Sequence, residues 1–377
     1  MIYLDNSATT YPKPYSVIDA VNSTFTKYGA NSGRSGYKMA LETSNQIYDC
    51  RKKVADFFNA PDIFNVIFTQ NCTTALNMAI KGLAKQNAHF IISDLEHNAV
   101  LRPIHKLFEQ GFCTYTVCEI DKDKNKTIKN FENAINNNTV AIICTGASNV
   151  FGIMPPIKEI SELAFNYKIK FIVDSAQIAG LIPIDISKCN IDILCCAGHK
   201  GLYSPAGIGI MVLKDNIKMN TIIEGGTGSV SSNFSQPDFI PDKFESGTPN
   251  ISGILGLSAG IDFINNVGIV NIKRHEEFLI DFLYNNIKDN KNIKVYKSKY
   301  FDYSPILSLN INGFHSEEVA NLLSQEKICV RAGLHCAPLA HKKMKTIENG
   351  TVRISPSYFT KKEDIIFLIK CLNKIAK

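Results

Sequence analysis

Lys200 sits in a short turn, Ala197-Gly198-His199-Lys200-Gly201, between the apolar runs 193–196 and 207–213. A long cation between two core strands is costly unless it is used. Lysine condenses with aldehydes to form a Schiff base, and desolvation lowers its pKa enough to make the amine nucleophilic. A lone turn lysine is ordinarily a solvated surface residue, so the reading depends on what accompanies it. Asp174 closes the run KFIVD and opens DSAQ. It is either the N-cap of the next helix or a carboxylate under a heteroaromatic nitrogen, which it keeps protonated so that the ring draws off electrons. Gln70-Asn71-Cys72-Thr73-Thr74 joins a strand to a helix. Backbone N–H groups and a threonine hydroxyl make an anion site there, although simple capping uses the same residues. His199 can add a donor to the same anion. His97, in LEHNAV, starts a helix; it is a capping or core imidazole, or a ring stacked on a planar group. Together, a phosphate cradle, a strand-end aspartate and a turn lysine meet the needs of pyridoxal 5'-phosphate (PLP). A dinucleotide fold would show G-x-G-x-x-G after an early strand, and the first half has none.

A second cluster reads Arg331-Ala332-Gly333-Leu334-His335-Cys336-Ala337-Pro338. Cys336 leaves a strand beside Gly, His and Pro, which puts it on a short loop. A thiol near cationic groups can be a thiolate at neutral pH; an inert structural cysteine is the plain alternative. His335, Cys336 and His341 are close in sequence, but structural zinc takes four convergent ligands. No fourth is visible, and no metal is expected. Arg353, in TVRIS, suits bidentate capture of a carboxylate, with a surface arginine as the alternative.

The elements that must place these residues alternate. Residues 1–14 form an arm, 16–28 and 38–59 read as helices, and 29–36 as a loop. Strands follow at 66–69, 90–92, 114–119, 140–145 and 171–173. Helices at 73–83, 97–110, 129–136 and 157–167 separate them. Such alternation predicts a parallel, helix-covered sheet whose ligands bind at the carboxyl ends of the strands. That rim would carry residues 69–74, 96–97, 148–149, 174–177 and 199–200. Residues 250–288 read as mostly helical. An α+β segment ends the chain, with strands at 306–309, 329–331 and 351–354 and helices at 317–324 and 361–375. The expected division is a large domain, 15–260, and a small one formed by 1–14 and 261–377.

The 377 residues are 45% hydrophobic and 20% charged, with a formal charge of +6. This is an ordinary globular composition. The basic residues are scattered, so no nucleic-acid footprint is read. The apolar runs are too short to span a bilayer, and MIYLDNSATT lacks the layout of a signal peptide. Eleven irregularly spaced cysteines fit a reducing cytoplasm better than a disulfide framework. Those in apolar runs, such as Cys144 and Cys329, read as small core residues.

In YLDNSATT, NSGRSGY, TQNCTTALN, LEHNAV, SNVFGIMPPI, VDSAQIAG, AGHKGLYSPAGIGIM, FESGTPN, RAGLHCAPLAH and GTVRIS, taken in this order almost end to end, the chain resembles the PLP-dependent class V aminotransferase superfamily. Within it, the likeness is to cysteine desulfurases of the Suf-like type and to selenocysteine lyases. The resemblance implies an α/β chain of PLP-dependent transferase fold type I. It implies that Lys200 bonds the cofactor and shuttles the Cα proton, that Asp174 pairs the ring nitrogen and that Gln177 bonds the ring hydroxyl side. His97 would stack on the ring and serve in proton transfer. Asn71, Cys72, Thr73 and His199 would hold the phosphate, joined by the partner subunit's Thr248. Asn149, Arg353 and Arg331 would bind the substrate carboxylate. Cys336 would attack the sulfur of L-cysteine, leaving alanine and a persulfide for an acceptor protein. L-selenocysteine is the alternative substrate, and the enzyme would be a homodimer with sites at the interface. A non-catalytic sulfur-accepting scaffold and a structural metalloprotein are the readings outside this chemistry. The chain departs from the Suf-like pattern in two places. Ala197 replaces the serine of Ser-Gly-His-Lys, and Cys72 replaces a threonine, so that a backbone amide would act there. The short loop of Cys336 implies slow turnover until an acceptor is present.

Overall fold

The computed structural model describes residues 1–32 and 36–377; Gly33, Arg34 and Ser35 of the NSGRSGY motif lie outside the described residues. After strand β1 (Ile2–Tyr3), helices α1 (Tyr15–Thr26) and α2 (Lys38–Phe58) lead into β2 (Val66–Thr69), α3 (Cys72–Leu83), β3 (Ala88–Ser93), α4 (Asn98–Glu109), β4 (Cys113–Cys118), α5 (Lys124–Ala134), β5 (Thr139–Thr145), β6 (Ile153–Met154), α6 (Ile157–Asn166), β7 (Lys170–Asp174), β8 (Ile193–Ala197) and β9 (Gly209–Leu213). Seven of the strands form one sheet in the order β2-β9-β8-β7-β5-β3-β4. Only β9 runs against its neighbours; the others are parallel, so β2, β3, β5, β7 and β8 end on one rim. β9 reverses because a hairpin, not a crossover helix, joins it to β8.

Apart from the edge strand β4, which is partly exposed, continuous apolar runs make these strands buried on both faces. Alternate residues divide between two cores. Ile91, Ile142, Phe171, Val173 and Leu194 pack with α2, α6 and a later helix. Phe90, Ile92, Ile143, Ile172 and Ile193 pack with α3 and α4. α5 begins earlier than the expected 129, because Asp123 caps it by accepting the Asn125 N–H at 2.9 Å. Polarity there hides the helical period, but the cap sets the start.

The later helix is α7 (Ile251–Val267), which crosses residue 260 unbroken; Ile261 and Ile264 pack in the sheet's core. At Gly268, φ 87°, the chain bends by 79° into α8 (Ile269–Ile287). A third core then gathers Leu4 with α8, β10 (Ile293–Val295), β12 (Leu307–Ile311), α9 (Ser316–Gln325), β13 (Ile328–Cys329), β14 (Val352–Ile354) and α11 (Lys362–Ile375). Strands β10, β12 and β14 form an antiparallel sheet, and β1 pairs with β13. The N-terminal arm thus belongs to this third core. Cys144 is fully buried, whereas Cys329, on the two-residue β13, is only partly covered. Among the described residues no single helix is long and apolar enough to cross a membrane.

Candidate active site

The turn carrying Lys200 is held by close backbone packing and by the arm. A side chain at Gly201 would bring Cβ within 2.3 Å of the Ala179 oxygen, and Gly180, φ 82°, faces Gly201 from the other side. No residue but glycine fits this double approach. The His199 carbonyl accepts from the Thr10 N–H at 3.1 Å and from Lys13 Nζ at 2.7 Å, and the Lys200 carbonyl accepts from Thr10 Oγ1 at 3.0 Å. Residues 9–13 therefore clamp the turn. Burial pushes the Lys200 amine below the ordinary lysine value; the Asp174 carboxylate opposes this, and the Arg353 and Arg331 guanidinium groups add to it. Asp174, Arg331 and Arg353 thus all act on the Lys200 amine.

Asp174, the last residue of β7, is 4% exposed. Its Oδ1 accepts from the Ala176 N–H at 3.0 Å and from Cys72 Sγ at 3.5 Å. Gln177 Nε2 donates to the Ser7 carbonyl at 3.1 Å, tying the loop after β7 to the arm.

The start of α3 abuts the hairpin, since a Cβ at Gly209 would lie 2.3 Å from the Asn71 carbonyl carbon. Asn71 caps α3 by accepting from the Thr74 N–H at 2.9 Å. The earlier first-turn N–H groups are those a helix leaves for an anion, and Thr73 is exposed there. His199 Nδ1 is buried without a partner. Burial, with Lys200 and Lys13, pushes this imidazole down to about 4, so it is neutral. An orphaned imidazole nitrogen, a free helix N-terminus and a strand-end carboxylate are the donor set that a phosphorylated pyridine requires, and the residues fit PLP. The Cys72 side chain turns away from the cradle toward Asp174 and leaves its backbone N–H at the helix start. Thr248 is exposed and lines, with Gln70 and Thr74, a groove of about 500 Å³ on its own chain.

His97 is the N-cap of α4, its Nδ1 accepting from the Ala99 N–H at 3.0 Å. The ring hydrogen is therefore on Nε2. Burial, Lys200 and Arg331 lower its pKa, against Asp174, so it is neutral at pH 7.

The cysteine loop reaches this group through two backbone bonds. The Cys336 carbonyl accepts from the Asn98 N–H at 2.7 Å, in the first turn after His97. The His335 carbonyl accepts from Asn149 Nδ2 at 2.7 Å. Cys336 is exposed, and both it and His335 hold positive φ, 57° and 50°. Helix α10 (Pro338–Lys343) starts two residues later and buries His341, which stacks on His335 at 5.8 Å. The loop is short and anchored at both ends. Arg353, 1% exposed on β14, donates from Nη1 to the Asn149 carbonyl at 2.8 Å and from Nη2 to Asp5 Oδ1 at 2.5 Å. Its Nε and the Asn149 Oδ1 are buried and unpartnered. Arg331 pairs with Arg353 across a backbone bridge.

The structure thus joins Cys72 to Asp174, and Cys336, His335, Asn149 and Arg353 to one another and to the start of α4, while Thr248 lines the groove beside Gln70 and Thr74. It adds Asp5, Lys13 and Glu96. Glu96 is fully buried and accepts from Ser93 Oγ at 2.5 Å and the Thr145 N–H at 2.8 Å, joining the ends of β3 and β5. Nothing in sequence spacing links Asp5 to Arg353, 348 positions away; the only signal is the one acidic residue of the arm.

As a whole, the chain is similar to known proteins. The class-V aminotransferase family model matches residues 2–368. A probable cysteine desulfurase of Methanothermobacter thermautotrophicus is 32% identical over 382 residues, covering 100% of this chain and 94% of the relative. One of Halalkalibacterium halodurans is 31% identical over 387 residues, covering 99% and 93%. The apo structure of the cysteine desulfurase from Thermococcus onnurineus NA1 superposes with a TM-score of 0.93 at 29% identity, covering 100% of this chain and 94% of that one. A cysteine desulfurase of Escherichia coli, solved as the S-sulfonic acid, gives 0.88 at 25% identity, covering 99% and 94%. The chain belongs to the class-V aminotransferase family.

Proposed function

We propose that this chain is a PLP-dependent cysteine desulfurase, which converts L-cysteine to L-alanine, takes the sulfur onto Cys336 as a persulfide and passes it to an acceptor. The observation that carries this reading is the 2.7 Å bond from the Asn98 N–H to the Cys336 carbonyl, which ties an exposed thiol to the helix that starts at His97. When bound, PLP supplies an aldehyde for the substrate amine and a ring that spreads the charge developing beside it, which makes the Cβ–Sγ bond breakable. Asn71, the Cys72 amide, Thr73 and His199 hold the phosphate, with the partner subunit's Thr248. Asp174 keeps the ring nitrogen protonated, and Gln177 bonds the ring hydroxyl side. Lys200, pushed toward its neutral form, takes the proton from the substrate Cα and returns it. Arg353, Asn149 and Arg331 hold the substrate carboxylate. The Cys336 thiolate attacks the substrate sulfur. An S–S bond forms as Cβ–Sγ breaks, the electron pair stays on Cβ, and the proton given up by the Cys336 thiol ends on Cβ to complete alanine. One thiol and one cysteine become one persulfide and one alanine.

Several features support the wider reading. Exposed apolar side chains on α1 and α2, with Tyr15 at 85% and Phe25 at 78%, favour a homodimer seated on that face. The third core supports a unit of 1–14 and 261–377 set beside a cofactor-binding unit, 15–260, while α7 spans the boundary and Ala337 and Ala340 beside Cys336 pack in the sheet's core. Eleven free thiols fit a reducing cytoplasm. A loop anchored at His335 and Cys336 cannot carry its sulfur far, so an acceptor protein must come to it. Alanine release should be slow with L-cysteine alone and faster with a thiol or carrier protein; no change with either would refute the anchored-loop argument.

The direct test is an absorbance spectrum of the purified protein before and after L-cysteine, with alanine assayed alongside. The reading requires a visible-edge band that shifts with cysteine in wild type and is lost in Lys200→Ala. A band that ignores L-cysteine but responds to L-selenocysteine would reassign the substrate. No band after PLP addition would overturn the reading.

A further inference from the structure

Cys72 is the first residue of α3, yet its side chain does not face an anion at the helix end. It is 8% exposed, and its Sγ lies 3.5 Å from Asp174 Oδ1. An ionised carboxylate only accepts, so the thiol is the donor. Burial, with Asp174 beside it, pushes the Cys72 thiol well up, so it keeps its hydrogen at neutral pH. The Ala176 N–H falls on the same oxygen at 3.0 Å. Two donors on Oδ1 leave Oδ2 for the ring nitrogen. The thiol is held there by backbone, because Gly209 admits the Asn71 main chain closer than any other residue would allow. Asp174 is in register with Cys195 of β8, which belongs to the same core as Cys72.

We infer that Cys72 is a positioning residue for Asp174: its S–H fixes the orientation of the carboxylate and withdraws charge from Oδ1, and in this way it sets the protonation behaviour of the bound PLP ring. This rests on the reading of the site as a PLP site and adds to it a role for the side chain that departs from the family's threonine. A threonine hydroxyl can make the same bond, whereas an alanine cannot.

The test uses the holoenzyme. Wild type, Cys72→Ala, Cys72→Ser and Cys72→Thr are titrated from about pH 6 to about pH 10 by the visible absorbance of bound PLP, with thermal melting as a control. Loss of one donor to a charged group should move the midpoint of Cys72→Ala by about half a pH unit or more. The Ser and Thr variants, which restore a donor, should stay within about 0.2 units of wild type. If Cys72→Ala folds poorly, Cys72→Val against Cys72→Thr makes the same comparison at matched shape. An alanine variant that titrates like wild type overturns the inference. So does an equal shift in Ala and Ser, which would assign the effect to volume. A wild type without a PLP band, or a Lys200→Ala variant that keeps the wild-type band, would instead overturn the reading of the site itself.

Discussion

In the proposed reaction, Arg353 joins stability to substrate binding in one side chain. It is buried, and its charge is met by Asp5 from the arm. Removing one partner of a buried pair leaves the other charge unpaired, although Asp5 is partly exposed, which softens the loss. Asp5→Ala should therefore lower stability by about 1–3 kcal/mol. It should also raise KM for L-cysteine several-fold with a smaller effect on kcat, because Arg353 would lose the anchor that aims it. Urea unfolding and steady-state kinetics check both; an unchanged KM would remove Asp5 from substrate binding. Lys200, Asp174, Arg353 and Cys336 were legible in the sequence because their types are unusual where they stand. Asp5 and Glu96 were not, since their roles exist only once distant segments meet. Cys72 shows the limit of motif position: its place at the start of α3 was legible, whereas nothing in the motif indicated that its side chain would reach Asp174.

At the scale of elements, the site depends on backbone approaches that only glycine permits. Gly209 lets α3 start against β9. Gly209→Ala would push Asn71 and Cys72 away from the rim. Overpacking of this kind costs about 1–3 kcal/mol, and if it falls on the bound state it weakens PLP binding about tenfold or more. A spectroscopic PLP titration tests this; unchanged affinity would mean that the α3 terminus does not hold the phosphate. The alternation of strands and helices was legible because buried parallel strands are continuous apolar runs. Strands of two residues such as β1 and β6 were not, because pairing partners far along the chain create them. The early start of α5 was missed because an aspartate cap, not apolar periodicity, sets it.

At the scale of the molecule, buried acids give the fold a pH dependence. Glu276, on α8 where it leaves the sheet's core, is 8% exposed, and burial holds its carboxyl up to about 8. Its unfolded value is near 4.5. Between these values the folded chain holds a proton that the unfolded chain releases, so this group lowers stability as pH rises. Glu276→Gln stays neutral in both states. Its stability relative to wild type should therefore grow from pH 5 to pH 8, by up to about 1.4 kcal/mol per pH unit. Denaturation curves at several pH values test this; a constant difference would mean that Glu276 is ionised in the fold. In the proposed reaction Lys200, after β8, and Cys336, between β13 and α10, must act together. The most direct test of their joint action is a single turnover with L-cysteine that measures alanine and protein-bound persulfide in wild type and Cys336→Ser. The account predicts matched alanine and persulfide in wild type, and PLP retained but neither product in the variant. Wild-type levels of alanine from Cys336→Ser would contradict it.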